Sequence, residues 1–171
     1  MLVSTFSIKS LTMKKTSLIL FTIIIFSASA ANAQKSKTEN SSDYTTAIGL
    51  KFYPTGITFK HFVSDKHALE GIAYFYNYGA RITGLYEIYG IINNAGGLKY
   101  YYGPGVHLGL YNSKYGGHTS FGVDGVLGLD YKINSAPIDL SVDWQPSFEF
   151  GKNYNNGFSG GFGGVAIRYT F

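Results

Sequence analysis

The sequence predicts an all-β fold, an eight-stranded antiparallel up-and-down transmembrane β-barrel, on three observations. Eight segments alternate apolar and polar residues with a period of two, which places the two sets on opposite faces of a strand. Turn-forming residues separate every pair of neighbours, and no segment or link carries a helical period long enough for a crossover. Composition agrees: 22 Gly and 15 Tyr among 171 residues, against 2 Met and 1 Trp, suit many turns and pleated, half-covered surfaces.

Residues 1–33 stand outside that pattern and are expected to be a cleaved signal peptide. From Met13, Lys14 and Lys15 lead into an apolar run over 18–26, and Ala31-Asn32-Ala33 supplies the small-x-small pattern of a cleavage site. The run is shorter than the roughly 20 residues a spanning helix needs. Residues 1–12 add nothing to such a signal, so Met13 is an alternative to Met1 as the start. Cleavage removes Lys9, Lys14 and Lys15 from the 14 Lys and Arg, leaving eleven against 10 Asp and Glu. The basic pI of 9.1 therefore owes much to the leader and gives no reason to expect nucleic acid as a partner. The sequence holds no cysteine, which excludes a lipoprotein anchor and disulfides. Residues 34–43 are polar and read as a flexible periplasmic leader, and 44–171 as a single barrel domain.

The strands are expected at 44–52, 56–63, 68–76, 81–91, 98–110, 120–133, 138–150 and 161–171. The first sets Ile48, Leu50 and Phe52 against Ala47, Gly49 and Lys51. The second to fourth are noisier, with His61 on the apolar parity and Ile72 and Leu85 on the polar one. Lys60, Glu70, Arg81 and Glu87 nevertheless all keep to the polar face of their own strand. In the fifth, Leu98, Tyr100, Tyr102, Val106, Leu108 and Leu110 oppose Lys99, Gly103, Gly105, His107 and Gly109. In the sixth, Phe121, Val123, Leu127, Leu129, Tyr131 and Ile133 oppose Gly122, Asp124, Gly128, Asp130 and Lys132. The seventh, "IDLSVDWQPSFEF", sets Ile138, Leu140, Val142, Trp144 and Phe148 against Asp139, Ser141, Asp143, Gln145, Ser147 and Glu149. The eighth sets Val165, Ile167, Tyr169 and Phe171 against Gly164, Ala166, Arg168 and Thr170. Turns are expected at 54–56, 64–66, 77–79, 93–96, 112–117, 134–137 and 152–160, where Asn, Gly, Pro and Ser gather. The short links make every neighbouring pair antiparallel.

Alternation alone does not say which face is inside. Size does: eight strands enclose a lumen only just wide enough for side chains. The apolar parity is crowded with Trp144, Phe148, Phe121, Tyr131, Tyr100 and Tyr102, whereas the polar parity mixes charges with Gly, Ala and Ser. The polar parity is therefore expected inside, as a paired network of Lys51, Lys60, Arg81, Lys99, Lys132 and Arg168 with Glu70, Glu87, Asp124, Asp130, Asp139, Asp143 and Glu149. The apolar parity then meets lipid.

The closing residues "GVAIRYTF", with Tyr169 and Phe171 as alternating aromatics, resemble the carboxy-terminal strand by which bacterial outer-membrane barrels are recognised by the barrel assembly machinery. More narrowly, "ITGLYEIY", "GLKYYYGPGVHLG", "GVLGLDYKI" and "PIDLSVDWQPSFEF" resemble the small outer-membrane β-barrel proteins common in Bacteroidota. The resemblance covers the mature chain. It implies a Gram-negative outer-membrane location and a membrane barrel, and it implies no activity.

Candidate chemistry is sparse. His118-Thr119-Ser120 is similar to the His-x-Ser pair of outer-membrane lipid A 3-O-deacylases, whose site faces the lipid. Parity counted back from Asp124 instead points His118 and Ser120 into the lumen or leaves them in a loop, and Asp130 points inward. The glycines of "GPGVHLG" and "GFSGGFGG" lack the spacing and the Lys of a phosphate loop. His61, His67, His107 and His118 show no metal-ligand spacing. No cofactor or metal is expected. Tyr76, Tyr78, Tyr111, Tyr115 and Tyr154 read as an interfacial girdle, with sugar or peptide contact as a second use.

An even strand count puts both termini in the periplasm, so the longest links, 112–119 and 151–160, face outward. They carry Lys114, Tyr115, Lys152 and Tyr154 as candidate contacts for a surface ligand. The expectation is a monomeric barrel with a structural or surface-interaction role. The alternative is a lipid A-modifying enzyme using His118 and Ser120.

Overall fold

A computed structural model describes residues 44–93, 95–112, 117, 119–150 and 157–171. Eight strands close on themselves in chain order, every pair antiparallel. They are β1 (Thr46–Phe52), β2 (Gly56–Ser64), β3 (His67–Tyr76), β4 (Gly79–Ile91), β5 (Leu98–Tyr111), β6 (Thr119–Ile133), β7 (Ile138–Phe150) and β8 (Gly157–Thr170). Among the described residues there is no helix. The expected up-and-down barrel is the fold observed, with strand ends moved by one to four residues.

Closure is made by the shortest strand. β1, seven residues long, pairs with β2 on one side and β8 on the other, Gly49 facing Thr58 and Arg168. Thr46 and Phe171 exchange backbone hydrogen bonds of 3.0 and 2.9 Å, so the chain end is held to the start of β1. Tyr169 and Phe171 lie 6.1 Å apart by ring centroid. Glycine makes the seam passable. Gly164 has φ +121°, and a Cβ there would stand 1.9 Å from the Phe52 carbonyl oxygen, so no other residue permits this approach.

β8 starts four residues earlier than its sequence pattern implies, because Gly157–Gly160 is strand and not turn. The register slips beside Pro146: Ser147 faces Ser159, but Gln145 faces Phe162. One extra residue on β8 is a β-bulge. It turns Phe158 outward and Phe162 inward, packed on Tyr74 and Arg81.

The alternation is inverted relative to a water-soluble domain. Ile48, Phe59, Leu69, Ile82, Val106, Leu127, Trp144 and Ile167, from successive strands, are all exposed on the outer surface. No Lys, Arg, Asp or Glu in any described strand stands on that outward register. The inside holds Lys51, Lys60, Arg81, Arg168, Tyr74, Tyr101 and Gln145 as its largest fully buried side chains. Ile72 and Leu85, apolar residues on the polar parity, also point inward and pack in one cluster with Phe62, Tyr74, Tyr89, Tyr101 and Val126.

Candidate functional site

Polar groups shut away from water must find partners, since an unpaired buried charge costs several kcal/mol, on the order of 3–5 when one partner is removed. The lumen meets that demand mainly between strands, with shorter links along single ones. Lys51 on β1 forms an ion pair with Asp143 on β7, and the Tyr101 hydroxyl donates to the same carboxylate at 2.7 Å. Lys60 on β2 is the hub of the lower half: Glu70, Glu87 and Asp130 stand 3.5, 3.0 and 3.7 Å from its Nζ. It also donates to the Tyr89 hydroxyl at 2.6 Å, which stands 3.1 Å from Glu87 and 3.2 Å from Asp130. The ammonium lies 4.5 Å from the Tyr101 ring centroid as well, a favourable cation–π distance.

Arg168 on β8 reaches in two directions. Its guanidinium holds Asp139 at 3.1 Å and Ser141 at 2.7 Å on β7, and Glu70 at 2.5 Å on β3. Thr58 donates to Glu70 and accepts from Arg168 Nε at 3.3 Å. Higher up, Arg81 pairs with Asp124 and lies over the Phe162 ring at 3.8 Å. His107 Nδ1 is 2.9 Å from Asp124 Oδ2. Its Nε2 faces Glu149 Oε1 at 3.4 Å without an aligned hydrogen bond.

One expected member of the network bonds differently. Lys132 is only half-buried, and its Nζ donates to the carbonyls of Ile133 and Ala136 at 2.8 and 2.6 Å. It ties down the β6–β7 turn because Asp139, opposite it in the register, is already held by Arg168. Lys99 lies at the same end and lines an open cavity of about 320 Å³ with Phe62, Lys66, Tyr89 and Tyr100. With those two lysines at the rim, four fully buried cations (Lys51, Lys60, Arg81, Arg168) face six buried carboxylates. Neutral donors, the Tyr89 and Tyr101 hydroxyls foremost, supply the balance of hydrogen bonds.

Sequence pattern missed the interior aromatics. Tyr74 donates to Gln145 at 2.8 Å, and Tyr89 stacks on Tyr101 at 5.2 Å. Within Tyr100-Tyr101-Tyr102 only the middle residue is buried, and parity with Lys99 and Gly103 is the signal that would have marked it. Tyr76 and Tyr111 likewise fall on the inward register at the end of the barrel where β1, β3, β5 and β7 finish, here called the upper mouth. They line the lumen there and do not form part of an outward girdle. Tyr78 joins them, 4.5 Å from the Tyr76 ring and 6.1 Å from Tyr111.

Ser120 is buried on the inward face of β6 and donates to Glu149 Oε1 at 3.3 Å. His118, Lys114, Tyr115, Lys152 and Tyr154 lie outside the described residues. Among the described residues no three His, Asp or Glu side chains are placed to hold a metal ion. Comparison with known protein families, curated proteins and solved structures finds no match.

Proposed function

We propose that this chain is a small outer-membrane β-barrel whose part in the cell envelope is structural and surface-interacting. The observation that carries the reading is the inversion of its two faces: paired charges inside, large hydrophobics outside on every strand. A contiguous apolar belt of this extent is a liability in water and the required surface in lipid. Strands β3 to β8 run 10–15 residues, enough to cross a bilayer at the usual tilt. A closed barrel leaves no strand edge to pair with another copy, which favours a monomer whose steady partners are outer-membrane lipids. The signal-like residues 1–33 and the aromatic chain end favour export and delivery to the barrel assembly machinery. A conducting role is disfavoured because Lys51, Lys60, Tyr101 and Gln145, each with no exposed surface, fill the lumen.

Lipid A modification is the second reading, and the position of Ser120 weighs against it. A nucleophile acting on an acyl ester needs access from the lipid face, whereas Ser120 points into the lumen toward Glu149.

The test is fractionation followed by gels of boiled and unboiled samples, together with lipid A profiles of cells carrying the intact gene, the Ser120→Ala variant, or neither. Recovery with the outer membrane, a heat-dependent mobility and one unchanged lipid A profile are expected. A soluble periplasmic protein of single mobility overturns the membrane assignment. A lipid A change that requires Ser120 replaces the interaction reading with the enzyme.

A further inference from the structure

The upper mouth differs electrostatically from the rest of the lumen. Each deeper carboxylate has a Lys or Arg partner: Asp143 has Lys51, Asp124 has Arg81, Asp139 has Arg168, and Glu70, Glu87 and Asp130 surround Lys60. Glu149 has none among the described residues. His107 Nε2 stands 3.4 Å from its Oε1, with the other ring nitrogen already on Asp124, and the same oxygen takes hydroxyl donors from Ser120 and Tyr111, both at 3.3 Å. These orient the carboxylate without cancelling its charge. Its side chain is 20 % exposed, so the group is reachable from the mouth.

Aromatic faces gather at the same place. Tyr111, which holds Glu149, lies parallel to Tyr78 with an interplanar angle of 7°, and Tyr78 in turn packs on Tyr76. Tyr78 is exposed, and the buried Tyr76 hydroxyl has no hydrogen-bond partner among the described residues. A fixed carboxylate beside several π faces attracts a cation twice over, through the charge and through the ring quadrupoles. Aromatic faces reward a weakly hydrated organic cation over a small hydrated metal ion, and no metal-ligating cluster accompanies them among the described residues.

We propose that the upper mouth binds an organic ammonium group, with Glu149 as its counter-ion and Tyr76, Tyr78 and Tyr111 as its aromatic wall. This deepens the surface-interaction role and rests on that reading for the mouth facing outward. The ammonium can be quaternary, as in a choline-type head group, or primary, as in a polyamine or a lysine side chain.

The full mature chain is folded in polyoxyethylene detergent, which brings neither charge nor sugar, and titrated calorimetrically with tetramethylammonium, spermidine, sodium and maltose in turn. Saturable binding of one or both organic cations is expected, at lower concentration than sodium. Glu149→Gln weakens it about ten-fold or more and Tyr78→Ala several-fold, the scale of a lost counter-ion and a lost cation–π face. Asp65→Asn, at the opposite mouth, leaves it unchanged. Tetramethylammonium alone or spermidine alone assigns the quaternary or the primary class. No saturable binding, tighter binding of maltose, or cation binding that survives both substitutions overturns the proposal. Should Glu149→Gln fail to fold, Tyr78→Ala in its exposed turn decides. Both mouths are open to titrant in micelles, so a negative result is separate from failure of the membrane assignment, which fractionation reads independently.

Discussion

Lys51 and Asp143 form a buried ion pair across the seam that closes the barrel, although 92 residues separate them in sequence. Lys51 belongs to β1 and Asp143 to β7, so the pair reaches past β8, the strand lying between them. β1 has the fewest ladder positions to hold it, and the side-chain link compensates from inside. Arg168 works similarly from β8, joining Asp139 on β7 to Glu70 on β3. Closure is therefore a property of the lumen as much as of the backbone ladder.

Asp143→Ala is expected to destabilise the folded barrel by about 3–5 kcal/mol, because Lys51 is left charged and unpaired. Trp144→Phe, one residue along but on the outer face, should cost about 1 kcal/mol or less in lipid, which solvates either ring. Urea unfolding in lipid vesicles, followed by fluorescence for the first variant and circular dichroism for both, makes the comparison. Equal tolerance, or the reverse order, contradicts the assignment of faces.

The carboxylates around Lys60 are not equivalent. Glu70 serves Arg168, Lys60 and Thr58 together, whereas Glu87 meets Lys60 and Tyr89 and no second cation among the described residues. With six buried carboxylates against four buried cations, replacing Glu87 by its neutral isostere relieves like-charge crowding. Glu87→Gln is therefore expected within about 1 kcal/mol of the parent, and Glu70→Gln to lose about 2–4 kcal/mol. Parallel urea titrations decide. A larger loss for Glu87→Gln than for Glu70→Gln contradicts the division of roles.

The faces were legible from sequence because charge sorts cleanly by parity: Asp139, Asp143 and Arg168 fall opposite Leu140, Val142 and Ile167 on their own strands. Tyrosine is harder. Its ring suits lipid and its hydroxyl suits a hydrogen-bonded interior, so Tyr74, Tyr89 and Tyr101 could not be recognised by type as lumen residues. The start of β8 was hidden for a different reason. Gly157 to Gly161 carry little patterning, and the bulge then shifts the parity between Phe158 and Phe162. Lys132 shows a third limit. Its parity marks it as inward, but height along the barrel decides whether an inward charge meets a carboxylate or a turn carbonyl, and height is set by register.

Gly164→Ala tests the seam directly. A methyl group there meets the Phe52 carbonyl oxygen at 1.9 Å on a backbone with φ +121°, so either β1 or β8 must move and the closing ladder is lost. Gly71→Ala on the outer face meets nothing within 4 Å and should fold as the parent does. The folded fraction after assembly into vesicles, read from the unboiled gel band, is expected to fall sharply for the first and not for the second. Full folding of Gly164→Ala would mean that the seam accommodates a displacement larger than a closed ladder permits.

A charge placed on the outer belt separates lipid from water as the external solvent. Leu127 stands midway along β6, 57 % exposed and flanked by Trp144 across the strand pair. In water, Leu127→Lys replaces an exposed apolar side chain with a hydrated one and should be neutral within about 0.5 kcal/mol. In a bilayer the same substitution sits near the midplane and should lose about 2–4 kcal/mol. Asn134→Lys, in the exposed β6–β7 turn, is the matched control and should be silent in either solvent, because the interfacial cost falls toward zero. Urea unfolding of the three proteins in phosphatidylcholine vesicles gives the answer. A loss at Leu127 with none at Asn134 is the outcome required of a membrane-spanning barrel. Two silent lysines would leave the apolar belt to be covered by another protein surface, and the envelope role would have to be rebuilt around that partner.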